Sequence, residues 1–270
     1  MSATPIVAWV NGRWVRAGEA AAPPQALGLL AGLGVFETIG AVAGEMPRWD
    51  AHLRRLTASA RVLGLDPTPP AKLREAARAL LAHRAHENDV LRLTLVAGAE
   101  CDRSGALWCL TTRSRGSGGP VRLAVVRAAW PADPTAAHKT TSRARYLWAL
   151  AQAQAAGADD ALLVDERDRV LETTTANLWV GGDRVILTPR LCGGVLPGIA
   201  RAELLAKLRA FHAADLEVRE ADVTLTDLSD ATGLAVSNAV HGPRAAALGN
   251  ATALGIQRLV ELWRAPAPPP

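Results

Sequence analysis

Lysine is rare in this chain, and one lysine stands where a primary amine could do chemistry. Among the 30 basic residues of the 270-residue chain, only Lys72, Lys139 and Lys207 are lysines. Lys72 and Lys207 lie in amphipathic, helix-like segments among other charged residues, where we expect them to be solvated. Lys139 follows a proline-containing loop and precedes Thr140 and Thr141, whose side chains carry hydroxyls. Amine chemistry would therefore use Lys139.

A lysine that forms a Schiff base must first lose its proton, which a partly desolvated site favours. Pyridoxal phosphate, a cofactor that uses such a lysine, also needs an acid at its ring nitrogen and donors around its phosphate. Glu172 begins the run Glu-Thr-Thr-Thr-Ala-Asn and is the candidate acid. The candidates for the phosphate are Arg55, the helix start Gly198, Ile199 and Ala200, and the pair Ser237 and Asn238.

Each candidate also has a purely structural interpretation. Arg55 fits an exposed helix position, and Glu172 fits an exposed turn. A helix often begins after a Pro-Gly pair such as the one that ends at Gly198, whatever its function. The side chains of Ser237 and Asn238 could cap a turn instead of binding an anion. These alternatives stay open on the residues alone.

Several motifs in this sequence occur in an order that resembles the fold-type IV pyridoxal-phosphate enzymes, the aminotransferase class IV family. They are Gly32-Leu-Gly-Val-Phe-Glu-Thr38, an H-x-x-R-L motif that begins at His52, and Ser237-Asn-Ala-Val-His-Gly242. Within that family, His138-Lys-Thr-Thr-Ser-Arg143 with Tyr146, and Gly194-Val-Leu-Pro-Gly-Ile-Ala-Arg201, are most similar to aminodeoxychorismate lyases. The resemblance implies an α/β fold of two domains, with mixed sheets and flanking helices. It also implies a homodimer and a cofactor site in the cleft between the domains.

The resemblance further implies what the chain does. Lys139 would bind pyridoxal 5'-phosphate, and the chain would convert 4-amino-4-deoxychorismate to 4-aminobenzoate and pyruvate in folate synthesis. Thr38, Arg103 and Arg143 are the candidates for binding the substrate carboxylates. Two alternatives remain: an aminotransferase of the same family that acts on branched-chain or D-amino acids, and a non-catalytic binding protein on the same fold.

Two positions depart from the family pattern. The family usually has an aspartate where Leu33 stands, and an arginine is common where Gly40 stands. The missing arginine weakens the branched-chain alternative, whereas the presence of both Lys139 and Glu172 weakens the non-catalytic one.

Composition argues against several other functions. The net charge is +4, but the arginines are scattered and no basic block with interleaved aromatic residues occurs, so we expect no nucleic-acid partner. Three cysteines without paired spacing indicate a reducing compartment. The chain has no C-x-x-C or H-E-x-x-H motif and no long apolar stretch free of charge. The first residues lack a basic region followed by an apolar core, so we expect no signal peptide. We expect a cytoplasmic protein without a metal site or a membrane span.

Glycine and proline punctuation predicts the domain organisation. The clearest linker is Gly116-Ser-Gly-Gly-Pro120, between a smaller N-terminal α/β domain over 1–115 and a larger cofactor-binding domain over 121–264. Residues 265–270 are expected to form a disordered tail. The pair Asn11-Gly12 predicts a hairpin turn. In the helix after Lys139 we expect Leu147, Leu150, Ala151 and Ala155 to be buried, and in the helix after Gly198 we expect Leu204, Leu205 and Leu208 to be buried.

Overall fold

The structure of this chain is a computed structural model that describes residues 6–19, 25–84, 88–98, 106–116, 118–127, 134–182, 184–191, 194–210, 217–248 and 257–265. The chain divides into two compact units, the first from 1–116 with 138–143 and the second from 117–137 with 144–270. Lys139 thus belongs to the first unit, although both flanking stretches belong to the second. Arg103 and residues 266–270 lie outside the described residues.

An antiparallel sheet of five strands, in the order β2-β1-β5-β4-β3, forms the centre of the first unit. The strands are β1 (Ile6–Val10), β2 (Arg13–Arg16), β3 (Gly34–Val42), β4 (Asn88–Val96) and β5 (Leu107–Ser114). The helices are α1 (Leu27–Leu30), α2 (Trp49–Val62) and α3 (Leu73–Arg84). β1 and β2 form the predicted hairpin, in which Asn11 and Gly12 take φ values of 43° and 90°.

The two faces of this sheet carry different side chains, because neighbouring residues on a strand point to opposite faces. On one face, Val35, Ile39 and Leu91 are buried in a core that also contains side chains of α2 and α3. On the other face, Thr38 is paired directly with Arg92. The helix-covered face is therefore apolar, and the opposite face carries polar and cationic groups.

A mixed sheet of eight strands, in the order β11-β10-β9-β12-β13-β6-β7-β8, forms the second unit. The strands are β6 (Val121–Arg127), β7 (Asp160–Val164), β8 (Val170–Thr173), β9 (Asn177–Gly181), β10 (Val185–Pro189), β11 (Glu217–Ala221), β12 (Gly233–Asn238) and β13 (Gly242–Leu248). The helices are a 3₁₀ turn (Pro134–Ala137), α4 (Ala144–Ala155), α5 (Ile199–Ala210), α6 (Leu225–Ser229) and α7 (Gln257–Arg264). The prediction of an α/β fold with sheets and flanking helices is confirmed.

Six strands of the second sheet close into a ring, because β8 pairs with β9 as well as with β7. The closing pair is Glu172 with Asn177. All six ring strands contribute side chains to one apolar cluster. The outer face of β9 and β12 packs against α5 and α7, and Leu204, Leu205 and Leu208 are buried there as predicted.

The buried face of α4 differs from the prediction. Tyr146, Ala149 and Ala153 pack against β6 and β7, whereas Leu147 is 61% exposed. Leu150 is partly buried, and the prediction was also wrong for Ala151 and Ala155, which are exposed. Alanines let a helix lie close to a sheet, so Ala149 and Ala153 take buried positions on the face that also carries Tyr146, and Leu147 points outward. Helical spacing alone does not distinguish these two faces of a helix that is apolar on most sides.

Lys207 is buried, so the expectation that it is solvated was wrong. Its side chain is 2% exposed, and its Nζ lies 2.9 Å from Glu203 Oε1, one helical turn earlier. The same ammonium group donates a hydrogen bond of 2.7 Å to the carbonyl of Ala265. The buried ammonium group is tolerated because it is paired with a carboxylate and hydrogen-bonded to a carbonyl. The bond to Ala265 connects α5 to the end of α7.

We predict that Lys207→Met destabilises the second unit by about 2 kcal/mol, because it leaves the Ala265 carbonyl and the Glu203 carboxylate without their cationic donor. The measurement is the urea midpoint of unfolding. Lys72→Met, at an exposed position, is the matched control and should unfold at the wild-type urea concentration. Equal midpoints for both variants would contradict the predicted role of Lys207.

Candidate active site

Lys139 lies beside the edge strand β3 of the first sheet. Its carbonyl oxygen accepts a hydrogen bond of 2.8 Å from the N–H of Phe36, and Thr140 pairs with Val35 in an antiparallel bridge. This pairing continues the sheet by one short segment and fixes the register of Lys139. Its Nζ, in a partly buried side chain, lies 4.8 Å from the centre of the Phe36 ring.

Both ends of the segment that carries Lys139 are anchored within the first unit. The ring of His138 is hydrogen-bonded to the hydroxyl of Ser59 at 3.0 Å. The hydroxyl of Thr141 donates to the carbonyl of Gly32 at 2.6 Å. The amine is therefore presented from a segment that is held on both sides, as a reacting group requires.

Three cationic side chains surround the Phe36 ring. The guanidinium carbon of Arg92 lies 3.7 Å from the ring centre, that of Arg143 lies 6.0 Å away, and Lys139 lies nearby as described. Burial, followed by repulsion from Arg143 and Arg113, lowers the pKa of Arg92. Arginines concentrated in this way are suited to bind carboxylates.

Of the predicted substrate-binding residues, Thr38 and Arg143 both lie near this cluster. Thr38 is paired with Arg92 across the sheet, and Arg143 lies beside Phe36. Arg92 was not among the sequence candidates. The available signal was a charged residue within the otherwise apolar stretch Val90-Leu-Arg-Leu-Thr-Leu-Val96. Arg103 lies outside the described residues.

Arg55 takes part in a buried ionic network beneath the same sheet. Its Nε and Nη2 each donate a 2.7 Å hydrogen bond to the carboxylate of Glu37, and the Nδ1 atom of His52 is 2.7 Å from the same carboxylate. Burial raises the pKa of Glu37, but the charge and hydrogen bonds of Arg55, with those of His52, outweigh it and lower the pKa to about 2. The bidentate pair fixes the orientation of the guanidinium. Its role in binding phosphate stays a prediction.

The lowered pKa of Glu37 predicts that the protein becomes less stable in acid. The folded-state pKa of Glu37, about 2, lies below the ordinary value of 4.5. The ionised carboxylate therefore stabilises the fold fully above pH 4.5, and this stabilisation is lost as the pH falls towards 2. The contribution is about 3 kcal/mol at neutral pH. Glu37→Gln should be less stable at neutral pH and should lack this loss of stability. Unfolding midpoints measured from pH 2 to 6 check this, with Glu45→Gln as an exposed control that should follow the wild type.

Glu172 is held in place at the end of β8 in the second unit. It is 5% exposed, so the alternative of an exposed turn carboxylate was wrong. Its Oε2 accepts hydrogen bonds of 3.1 Å from the side-chain amide of Asn177 and of 3.1 Å from the N–H of Leu196. A buried acid with a fixed orientation is suited to bind one defined nitrogen of a ligand.

The turn that follows Glu172 is stabilised by threonine hydroxyls. Thr173 Oγ1 accepts a 3.0 Å hydrogen bond from the N–H of Ala176. The hydroxyls of Thr174 and Thr175 donate to the carboxylate of Asp160, at 2.5 and 2.9 Å. Asp160 was not singled out in the sequence, where it starts the apolar strand β7. The three threonines therefore hold the turn that positions Glu172.

The start of α5 requires a glycine. A Cβ atom at Gly198 would lie 1.9 Å from Asn177 Oδ1, which no side chain tolerates. Ile199 and Ala200 follow as the first residues of α5, where backbone N–H groups have no acceptor within the helix. Such a helix start attracts anions, including phosphate.

The side chains of Ser237 and Asn238 both have structural partners. The buried hydroxyl of Ser237 accepts a 2.9 Å hydrogen bond from Trp179 Nε1. Asn238 Oδ1 accepts hydrogen bonds from the N–H groups of Val240 and His241, at 3.1 and 2.9 Å. The Asn238 side chain therefore caps the turn after β12, as the structural alternative proposed. A role of the pair in phosphate binding stays a prediction.

Each unit by itself contains groups whose chemistry fits part of pyridoxal phosphate. In the first unit these are the amine of Lys139 and the oriented guanidinium of Arg55. In the second unit they are the buried acid Glu172 and the helix start at Gly198, where a Cβ atom does not fit. Within the described ranges, no group of three or more His, Cys, Asp or Glu side chains is placed to hold a metal ion. Among the same residues, no helix has the length and apolar character to span a membrane.

Comparisons with known proteins point to one enzyme family. The amino-transferase class IV family profile matches residues 34–247. The aminodeoxychorismate lyase of Vibrio harveyi is 28% identical over 228 residues, which cover 78% of this chain and 81% of the relative. A Methanocaldococcus jannaschii protein with the provisional name branched-chain-amino-acid aminotransferase is 28% identical over 242 residues, or 85% and 83% of the two chains. A hypothetical aminotransferase from Mycobacterium tuberculosis, solved in a PLP-bound form, superposes with a TM-score of 0.82 at 23% identity over 95% of this chain and 96% of that one.

Proposed function

The chain belongs to the amino-transferase class IV family of pyridoxal-phosphate enzymes, and from that premise we propose that it is an aminodeoxychorismate lyase. It would convert 4-amino-4-deoxychorismate to 4-aminobenzoate and pyruvate. The supporting observation is the pair of arginines beside Phe36, with the guanidinium carbon of Arg92 at 3.7 Å and that of Arg143 at 6.0 Å from the ring centre. The substrate carries one carboxylate on its ring and a second on its enolpyruvyl group, and these two arginines suit both. The name of the Vibrio harveyi relative agrees with this assignment.

Each residue of the site has a role in this reaction. Lys139 would hold the cofactor through its amine until the substrate amine replaces it. The freed, neutral amine of Lys139 then removes the proton from the amine-bearing ring carbon. Pyridoxal phosphate supplies an electron sink for the electron pair left behind. Glu172 keeps the cofactor's ring nitrogen protonated, which that sink requires.

The remaining groups hold the reactants in place. Arg55, the N–H groups at the start of α5 and the pair Ser237 and Asn238 would bind the phosphate. The enolpyruvyl group leaves from the neighbouring ring carbon, takes up a proton and becomes pyruvate. The product ring becomes aromatic, so the reaction is driven by the substrate and the protein mainly has to position it.

An aminotransferase of the same family is the second candidate, and the name of the Methanocaldococcus jannaschii relative favours it. Lys139 would then return its proton to the cofactor carbon, and a keto acid would be released. A branched-chain amino acid has one carboxylate and an aliphatic side chain, so it makes less use of the cations around Phe36. Gly40, where an arginine is common in the family, also argues against this substrate class.

Other features follow from the family resemblance as proposals. We infer a homodimer in the cytoplasm whose product enters folate synthesis. The division into domains over 1–115 and 121–264, joined by a linker over 116–120, stays a prediction, as does a cofactor site in the cleft between them.

We predict that Lys139→Ala abolishes lyase turnover with the fold intact, because the other two lysines of the sequence have different surroundings: Lys72 is exposed, and Lys207 is ion-paired with Glu203. The measurement offers the cofactor-loaded protein 4-amino-4-deoxychorismate and assays 4-aminobenzoate and pyruvate together. Equal amounts of both should appear with the wild type and with the control Lys72→Ala. Activity in Lys139→Ala would contradict the central assignment. If neither product appears with the wild type and amino acids are converted to keto acids, the aminotransferase candidate replaces the lyase.

A second prediction concerns the substrate carboxylates. Arg92→Leu and Arg143→Leu should each raise KM for 4-amino-4-deoxychorismate about 10- to 100-fold, since each removes a charge-assisted hydrogen bond. The affinity for pyridoxal phosphate should stay close to that of the wild type. Arg54→Leu, at an exposed position on α2, is the control. Wild-type KM values in both test variants would show that the carboxylates bind elsewhere.

A further inference from the structure

We propose that Asn177 is a positioning residue that fixes the acid Glu172 and the turn before α5 as one rigid unit. This inference rests on the proposed function, in which Glu172 holds the proton on the ring nitrogen of the cofactor and the start of α5 binds its phosphate. None of the chemistry falls to Asn177 itself, because it acts through the two groups that it touches.

The hydrogen bonds of Asn177 connect both groups. Asn177 is 4% exposed, and its Nδ2 donates to Glu172 Oε2 at 3.1 Å and to the carbonyl of Leu196 at 2.9 Å. The N–H of Leu196 donates to the same oxygen of Glu172 at 3.1 Å. These three bonds form a closed ring of interactions. Because both contacts of Nδ2 are acceptors, one of them a carboxylate, they also determine which end of the amide carries the hydrogens.

The other end of the amide contacts the helix start. Asn177 Oδ1 occupies the space that a side chain at position 198 would need, since a Cβ there would lie 1.9 Å away. One side chain therefore touches the acid Glu172, the turn at Leu196 and the glycine that precedes α5. It sets the distance between the acid and the helix start.

A fixed distance matters because of the shape of the ligand. Pyridoxal phosphate is a flat aromatic ring whose nitrogen and phosphate substituent are separated by a nearly constant length. An acid and an anion site that moved independently would bind only one end well at a time. The coupling through Asn177 matches the protein to a rigid ligand before it binds.

An amide meets this need and a carboxylate does not. An aspartate at position 177 would place a second carboxylate about 3 Å from that of Glu172, and two such groups tend to share one proton. It would also remove the donor to the carbonyl of Leu196. Asn177→Asp therefore keeps the shape of the side chain almost unchanged, but it replaces a hydrogen-bond donor to Glu172 with a second carboxylate.

The test compares Asn177→Asp with Asn11→Asp. Asn11 is a matched control outside the site, because its amide also donates to a backbone carbonyl, that of Ala106, and accepts from the N–H of Trp108. Asn177→Asp should weaken pyridoxal-phosphate binding about 10- to 100-fold, measured by titrating the cofactor's visible absorption. It should also shift the pH at which the absorption band of the bound cofactor changes. Asn11→Asp should leave both quantities at their wild-type values.

Two further variants separate positioning from general stability. Asn177→Asp in a Glu172→Gln background should no longer shift the pH of the absorption change, because the effect acts through Glu172. Gly198→Ala should weaken cofactor binding to a similar extent by displacing the amide, whereas Gly116→Ala, with open space around its Cβ, should not. Thermal unfolding of the cofactor-free proteins reports the fold separately.

The outcomes distinguish this inference from the proposed function. Wild-type cofactor affinity and an unchanged pH profile in Asn177→Asp would overturn it, as would losses that only parallel a lower unfolding temperature. A wild-type protein that does not bind pyridoxal phosphate would also overturn it. A wild-type protein that binds the cofactor but forms no 4-aminobenzoate would refute the lyase assignment alone, since every measurement made on Asn177 is independent of the substrate.

Discussion

Neighbouring side chains on a strand point to opposite faces, and this constraint on β3 organises the first unit. Phe36 points to the face that carries Arg92, and Glu37 points into the helix-covered core. The core position is costly for a carboxylate, and Arg55 and His52 offset the cost with short hydrogen bonds. Two adjacent residues of β3 thus place an oriented, ion-paired arginine on one face of the sheet and a group of cations on the other.

The second unit positions its polar groups in a different way. Glu172 and Asn177 form the pair that closes the ring of six strands. Side chains at such a closure are surrounded by backbone from both strands, which leaves few unsatisfied donors or acceptors. Asp160 anchors the intervening turn through Thr174 and Thr175. A fully bonded network of this kind is rigid, and rigidity is what an acid of fixed orientation requires.

The sequence was sufficient for features that depend on local pattern. The Asn11-Gly12 hairpin and the buried leucines of α5 followed from turn chemistry and helical period. Other features depend on partners that are far away in the chain, and there local pattern failed. Lys207 is buried because the carbonyl of Ala265 reaches it across 58 positions. The buried face of α4 is determined by the sheet beneath it. Arg92 could not be identified as a candidate site residue from its own strand, because Phe36 and Arg143, which lie near it, belong to other segments of the chain.

The backbone pairing of Lys139 with β3 has a consequence for how the gene can be divided. The chain leaves the first unit at 116, returns for 138–143 and leaves again. A fragment cut at the linker would carry the lysine without the strand that seats it, and the other fragment would carry the strand without the lysine. Tethers on both sides keep the segment at a high local concentration near its strand. Replacing either half by the corresponding half of another protein would therefore break the pairing between Lys139 and β3.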